Sequence, residues 1–464
     1  MDRISSLPDE IICHIGSFLS AKEAAFATVL SSQWRNEFTI IPKLHFDDDD
    51  DDDDDDREKF KDFVDRVLAL PVSCRVRTFS IKWNHVAAQQ DEQINRCLCH
   101  VLKRGVLVLE LQISVLREGY YSLPFDVFTC KTVSEMKLGS GFVVDFLPAD
   151  ASLPALKTLF LDSVQFHDSG GRCAFKTLLS ASPVLEELVM DGIELERWKW
   201  SCTVSSPTLQ RLTIRRREWY SYDAPYVKLD SRCLAYDFDS VSLVTPGLTY
   251  LEYSDYVPKK YPIVDLNSLV EAKLFLCVDQ EDVWREEHAD NFDPMNLITG
   301  FKNVEILDLT IEAVEMFYVF HEAVPVFEKL VRLSLGLSNF CWFSVSTVLK
   351  KFPNLKTLII KDSLHYGERE DGWICQCVSE YSFLLSCPVE VLKIKEYNGS
   401  IEELEQVKHF VEKMSCLELV EVHAQVAGDK KLQVMADLLM LPRGSSKCKI
   451  QVKFSRKRYS NPLL

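Results

Sequence analysis

The chain has 464 residues, 47% of them hydrophobic, and a formal net charge of −17. That length allows roughly three ordinary domains unless the chain is built of repeats, and its modest glycine and proline exclude a collagen-like or broadly disordered polymer. Ten of the negative charges form the unbroken run Asp47–Asp56, and the balance elsewhere is mildly acidic, which argues against nucleic acid as the main partner.

Residues 4–44 read as three short helices. Their start holds Asp2, Asp9 and Glu10 and no continuous apolar run, so no secretory signal is expected. Pro8 suits the first helical position, where a missing N–H costs nothing, and Asp9 and Glu10 complement the positive end of the helix dipole. Ile11, Ile12, Ile15, Phe18 and Leu19 then form one apolar stripe. Ser20 and Glu23 make a capping box for a second helix carrying Ala24, Ala25, Ala27, Val29 and Leu30, and the third helix presents Trp34 and Phe38. So small a module is marginally stable alone. Composition leaves two readings open, a helical cap for whatever follows or a partner-docking module.

The segments Asp2-Arg3-Ile4-Ser5-Ser6-Leu7-Pro8-Asp9-Glu10-Ile11-Ile12, His14-Ile15, Ser17-Phe18-Leu19, Thr28-Val29-Leu30-Ser31 and Trp34-Arg35 closely resemble a plant F-box, and the spacing matches without gaps. The resemblance implies docking onto a Skp-type adaptor, which links the chain to a cullin–RING ubiquitin ligase. It also implies that Leu7, Pro8, Ile11, Ile15, Leu19, Val29, Leu30 and Trp34 form the core and the adaptor-facing surface of an F-box spanning residues 1–46. The sequence departs from the family pattern at Ser20, Ser32-Gln33 and Glu37-Phe38. Gly16 in mid-helix costs about 0.5–1 kcal/mol relative to Ala.

The acidic run cannot bury apolar surface and repels itself, so residues 47–57 are expected to be an extended, disordered linker. A homopolymer lacks the glycine turn and spaced ligands of a calcium loop.

From residue 58 to 386 one pattern recurs: apolar-x-x-apolar-x-apolar, often preceded by proline. It reads as Val76/Phe79/Ile81, Val108/Leu111/Ile113, Val133/Met136/Leu138, Leu156/Leu159/Leu161, Leu185/Leu188/Met190, Leu209/Leu212/Ile214, Leu248/Leu251/Tyr253, Val304/Leu307/Leu309, Leu330/Leu333/Leu335 and Leu355/Leu358/Ile360. Weaker copies are Leu269–Leu274 and Val389/Leu392/Ile394. Spacings of roughly 21–39 residues are those of irregular leucine-rich repeats, with one short strand per repeat and a return segment. Cys173–Leu179, Val345–Lys351 and Tyr381–Leu385 read as returning helices. A single repeat cannot bury its apolar face, so repeats stack around a continuous core behind a parallel sheet. The predicted fold is therefore α/β, a three-helix module followed by a leucine-rich solenoid with a horseshoe-shaped parallel sheet and a terminal cap.

Side chains alternate along a strand, so the residues between the pattern positions face the concave side. Phe160, Glu187, Arg211, Tyr250, Asp308 and Arg332 are the candidate partner-binding residues there. Aromatics and both charge signs suit a protein or peptide partner.

At the C-terminal end Val391–Tyr397 reads as a strand, Gly399 breaks it, and Ser400/Glu403 make a capping box for a helix striped by Leu404, Val407, Phe410 and Val411. A strand with Val420, Val422, Ala424 and Val426 on one face follows, then a helix whose apolar stripe is Leu432, Met435, Ala436 and Leu439, then a last strand bearing Cys448, Ile450, Val452 and Phe454. Cys387-Pro388, the Glu-rich helix over 401–413 and Leu441-Pro442-Arg443-Gly444-Ser445-Ser446 resemble the FBD domain, assigned to residues 387–464. The chain as a whole resembles the plant F-box/FBD/LRR-repeat protein family.

No phosphate loop, dinucleotide fingerprint, zinc-protease motif or nucleophile elbow occurs. Cys97-Leu98-Cys99-His100 and Cys375-Gln376-Cys377 lack the spacing of a structural zinc site, so no metal or other cofactor is expected. The fifteen cysteines are scattered through apolar stretches, as in Cys13, Cys74, Cys130, Cys233 and Cys341, which reads as reduced core thiols. No apolar run reaches the ~18 residues of a membrane span, and basic Lys453–Arg458 reads as the solvated end of the last strand. The reading that follows is a non-catalytic, cytoplasmic or nuclear substrate-recognition subunit of a cullin–RING ligase, with no membrane partner. The competing reading is a leucine-rich interaction scaffold outside any ligase, whose F-box-like helices merely cap the solenoid.

Overall fold

Within each of two compact units, apolar triplets repeated along the chain align rung for rung in a parallel sheet. The computed structural model describes residues 39–47, 53–70, 74–86, 91–115, 121–139, 141–166, 168–169, 172–193, 203–216, 240–277, 293–336, 342–362, 387–426, 428 and 430–454. The helices predicted over 4–44, with Leu7, Pro8, Ile11, Ile15, Leu19, Val29, Leu30 and Trp34, lie outside the described residues as far as residue 38, and residues 39–44 are strand and not helix. Tyr381–Leu385, Cys375 and Cys377 also lie outside the described residues. The chain divides into two compact units, Met1–Glu218 with Tyr226–Asp237 and Trp219–Pro225 with Phe238–Leu464.

In the first unit β1 (Thr39–Asp47), β2 (Cys74–Val86), β3 (Val108–Val115), β4 (Glu135–Leu138), β5 (Thr158–Asp162), β6 (Glu187–Ile193) and β7 (Arg211–Arg216) lie side by side in chain order, all parallel. Leu44, Phe79, Leu109, Met136, Leu159, Leu188 and Leu212 share one rung, and Phe46, Ile81, Leu111, Leu138, Leu161, Met190 and Ile214 share another. Every residue of the second rung is 7% exposed or less. Burying this apolar surface is the main drive for stacking the coils. The described return segments include α1 (Asp53–Leu68), α2 (Asp91–Leu102) and α3 (Ala174–Ala181), and elsewhere short extended pieces such as Phe142–Val144.

The second unit repeats the plan with β8 (Tyr250–Tyr256), β9 (Glu271–Cys277), β10 (Ile306–Leu309), β11 (Arg332–Leu335), β12 (Thr357–Ile360), β13 (Val391–Tyr397), β14 (Leu419–Ala424) and β15 (Lys449–Phe454), again parallel and in chain order. Its described helices are α4 (Met295–Gly300), α5 (Ile311–Val319), α6 (Trp342–Leu349), α7 (Ile401–Lys413) and α8 (Lys430–Leu439). The C-terminal β-α-β-α-β order thus continues the sheet of this unit. At the start of α7 the expected capping box is formed: the Glu403 N–H donates to Ser400 Oγ at 3.1 Å, while Glu403 Oε2 accepts from the backbone N–H groups of Ser400, Gly399 and Asn398 at 3.2, 2.9 and 2.9 Å. Gly399 turns the chain there with φ +78°, a conformation that strains residues with a Cβ.

Four expectations are corrected. The sheet begins at Thr39, not after residue 57, because Ile41, Leu44 and Phe46 form a first copy of the triplet, in register with Val76, Phe79 and Ile81. Pro42, which has no N–H to give a ladder, is acceptable because β1 is the edge strand. The acidic run is not extended throughout: Asp47 ends β1, and Asp53–Asp56 make the first turn of α1, where negative residues complement the helix dipole. The third strand's register is Val106/Leu109/Leu111, with Val108 half-buried on the other face, because apolar residues occupy both alternations of that segment. Finally, α8 buries Val434 and Leu438, while Leu432, Met435 and Leu439 are 73%, 38% and 43% exposed. Both faces of α8 carry large apolar residues, so periodicity alone selected the wrong one.

Candidate recognition surface

The residues between the triplet positions form the open face of each sheet. In the first unit one row holds Lys43, Thr78, Val108, Glu135, Thr158, Glu187 and Arg211, and the next holds His45, Ser80, Glu110, Lys137, Phe160, Val189 and Thr213. Cross-strand ion pairs knit the face. Lys137 meets Glu110 of the neighbouring strand at 3.1 Å, Lys82 meets Asp47 at 3.2 Å, and along its own strand Lys137 also meets Glu135 at 2.8 Å. Hydrogen bonding to Glu135 holds the Lys137 ammonium above its ordinary pKa. Burial pushes the Glu110 carboxyl up, but the Lys137 hydrogen bond and charge, with a hydrogen bond from Ser80 and the charge of Lys43, together outweigh it and leave it below the ordinary value.

Of the candidate residues in this unit, Glu187 and Arg211 are brought together, paired in register with an ion pair at 3.5 Å. Phe160 stands half-buried in the adjoining row, opposite Val189. The three make a small aromatic and charged patch suited to a peptide side chain.

In the second unit Tyr250, Glu271, Ile306 and Arg332 share one row, and Glu252, Lys273, Asp308 and Ser334 share the next. Arg332 is exposed, and Asp308 is ion-paired with Lys361. Tyr250 departs from the expectation of an open aromatic. It is only 9% exposed, its hydroxyl donates to Glu252 Oε2 at 2.8 Å, and the Lys273 ammonium sits 5.3 Å from its ring centroid. Neighbouring side chains close over it, so it forms floor rather than handle. Burial raises the Tyr250 hydroxyl pKa, and hydrogen bonding to Tyr250 raises that of Lys273.

Near the C-terminal edge Glu421, 7% exposed, accepts from His423 Nε2 at 2.6 Å and from Lys453 at 2.9 Å. Those hydrogen bonds hold its carboxyl down at about 2. This cluster, like Glu110 with Lys137, was not singled out from sequence, although the alternation around Val420 and Val422 already placed Glu421 and His423 on the open face.

Of the two cysteine motifs only Cys97-Leu98-Cys99-His100 is among the described residues, and it takes no part in this surface. Cys97 is fully buried on α2, where burial pushes its thiol up to about 12, and Cys99 is half-buried. Among the described residues no group of three His, Cys, Asp or Glu is placed to hold a metal ion, and no helix is long and apolar enough to cross a membrane.

Comparison with known proteins places this geometry in context. Residues 94–235 match the family described as "FBD-associated F-box protein At5g56370, LRR repeats". The F-box/LRR-repeat protein At3g62440 of Arabidopsis thaliana is 57% identical over 473 residues, covering 97% of this chain and 100% of the relative. The putative F-box/LRR-repeat protein At5g15620 of the same plant is 53% identical, covering 98% and 100%. The F-box protein At3g62430, also from that plant, is 49% identical with the same coverage.

Proposed function

Because this chain belongs to the plant F-box/LRR-repeat protein family, we propose that it is the non-catalytic substrate-recognition subunit of an SCF-type, cullin–RING ubiquitin ligase. The observation that carries the reading is 57% identity across 97% of the chain to a protein named for both its F-box and its repeats. Leu7, Pro8, Ile11, Ile15, Leu19, Val29, Leu30 and Trp34 hold a Skp-type adaptor. The open faces hold the target protein, Phe160, Glu187 and Arg211 in the first unit and Asp308 and Arg332 over the Tyr250 floor in the second. Residues 387–464 are the FBD domain, and the complex works in the cytoplasm, the nucleus or both.

Tethering is the chemistry. A target held on the face is presented at high effective concentration to a ubiquitin-charged enzyme bound elsewhere in the complex. This chain supplies no nucleophile and no proton transfer, and no step needs a cofactor.

The Ser32-Gln33 and Glu37-Phe38 departures favour one other reading, a leucine-rich scaffold whose N-terminal helices only cap the array. Capture of a purified Skp-type adaptor by the full chain separates the two. The ligase reading expects capture that is lost in a Leu7→Ala/Pro8→Ala double variant, and the scaffold reading expects no difference.

A further inference from the structure

The open face at the C-terminal edge carries a charge opposite to that of the chain. Between the inward residues β13 presents Lys393 and Lys395, and β15 presents Lys449 and Lys453. Against these four lysines the strands β13–β15 set two carboxylates, Glu421 and, at the irregularity beside Lys395, the exposed Glu396. This is a local cationic surplus in a chain of net charge −17.

Glu421 is already committed. It is nearly buried and binds His423 and Lys453, so it acts as an internal counter-ion that fixes both side chains. The charge of Lys393 also reaches it and helps hold its carboxyl low. Lys393, Lys395 and Lys449 form no ion pair among the described residues. Val391 and Leu419, both half-buried and paired in register, stand in the row that also holds Lys449, next to the row of Lys393. The surface therefore offers unpaired ammonium groups alongside an aliphatic strip.

We propose that this face binds an acidic peptide segment of the target protein, one in which an aliphatic residue and two acidic residues are each two positions apart (aliphatic-x-acidic-x-acidic). The inference rests on reading the open face as the recognition surface. Two lysines two residues apart on one strand are separated by about 6.6 Å, the spacing of alternate side chains on any extended peptide. Alternate side chains of an extended peptide share one face, so a strand laid along β13 with acids at two alternate positions matches carboxylates to Lys393 and Lys395, and an aliphatic residue at the next position of the same alternation meets Val391 and Leu419. A nucleic-acid strand is the poorer fit, since its binding draws on many uninterrupted phosphate contacts and Glu396 and the acidic remainder of the chain repel it.

The test is fluorescence anisotropy with the full chain and a labelled peptide of the order leucine, serine, aspartate, serine, aspartate, which sets the leucine and both aspartates on one face when extended. A lysine-for-aspartate peptide and an oligothymidylate of matched charge serve as competitors. The proposal expects salt-sensitive binding that a Lys393→Glu/Lys395→Glu variant weakens by about tenfold or more, with a smaller loss for Lys393→Gln. A Lys302→Glu/Lys329→Glu variant, which makes the same change of net charge at exposed positions of the same unit, binds as wild type does. Equal binding by the Lys393/Lys395 variant, equal loss in the control variant, or oligothymidylate competing as well as the acidic peptide overturns the proposal. Adaptor capture is measured on the same preparations. Retained capture without peptide binding sinks this inference alone, and peptide binding without capture sinks the ligase reading alone.

Discussion

Phe46 of β1 stands edge-on to Phe60 of α1, ring centroids 5.0 Å apart and planes 70° apart. Trp83 of β2 completes the contact, 3.9 Å from Phe60 between centroids. The first strand and the helix that follows it are therefore one packed coil of the array. A fragment cut at residue 46 severs β1 from this packing, so adaptor binding belongs on the full chain. Phe60 is fully buried, and Phe60→Ala is expected to cost about 3–5 kcal/mol. Urea denaturation measures it, and a loss under ~1 kcal/mol would show that α1 is not part of the fold's core.

The capping box of α7 makes a second prediction. Glu403, 3% exposed, accepts three backbone N–H groups through Oε2. Glu403→Ala leaves those donors without this partner and is expected to destabilise by about 1–3 kcal/mol. Glu403→Gln keeps an acceptor oxygen and loses less. Equal urea midpoints for the two variants would contradict this account of the cap.

Glu421 gives a pH signature. Its carboxyl sits at about 2 in the folded chain against an ordinary 4.5. The folded state favours the ionised form, so the stabilisation is complete above about pH 4.5 and is lost as pH falls toward 2. The stability difference between wild type and Glu421→Gln should narrow across that window. A difference that stays constant from pH 5 to pH 2 would show that the carboxylate gains nothing from Lys453 and His423.

How far these features were legible in the sequence varies with the physics behind them. The triplets were legible because one buried side in a strand imposes strict alternation, and Leu156/Leu159/Leu161 through Leu355/Leu358/Ile360 all take their expected inward positions. The capping box was legible because Ser400 and Glu403 act locally. The copy at Ile41/Leu44/Phe46 has the same spacing, but it falls within the stretch whose resemblance to an F-box over 1–46 predicts helix, and only the pairing with β2 shows that it is strand. The register of β3 and the buried face of α8 were not legible, since both alternatives in each segment are apolar and only tertiary packing chooses between them. The Tyr250 contact with Lys273 and the convergence on Glu421 depend on cross-strand register, which a single strand does not encode.

The Glu187–Arg211 pair separates stability from recognition. Its side chains are 39% and 50% exposed, and such pairs contribute about 0–1 kcal/mol. Glu187→Ala/Arg211→Ala is expected to leave the urea midpoint nearly unchanged while reducing recovery of the bound target in affinity capture from plant extract. Undiminished recovery would remove this patch from the recognition surface.

The most direct test of the central claim is capture of a purified Skp-type adaptor by the full chain, wild type against Leu7→Ala/Pro8→Ala. The ligase-subunit account predicts stoichiometric capture by wild type and loss of about tenfold or more in the variant, as expected when buried anchors are removed from an interface. Wild-type capture no better than the variant's would contradict it and leave a leucine-rich scaffold capped by its N-terminal helices.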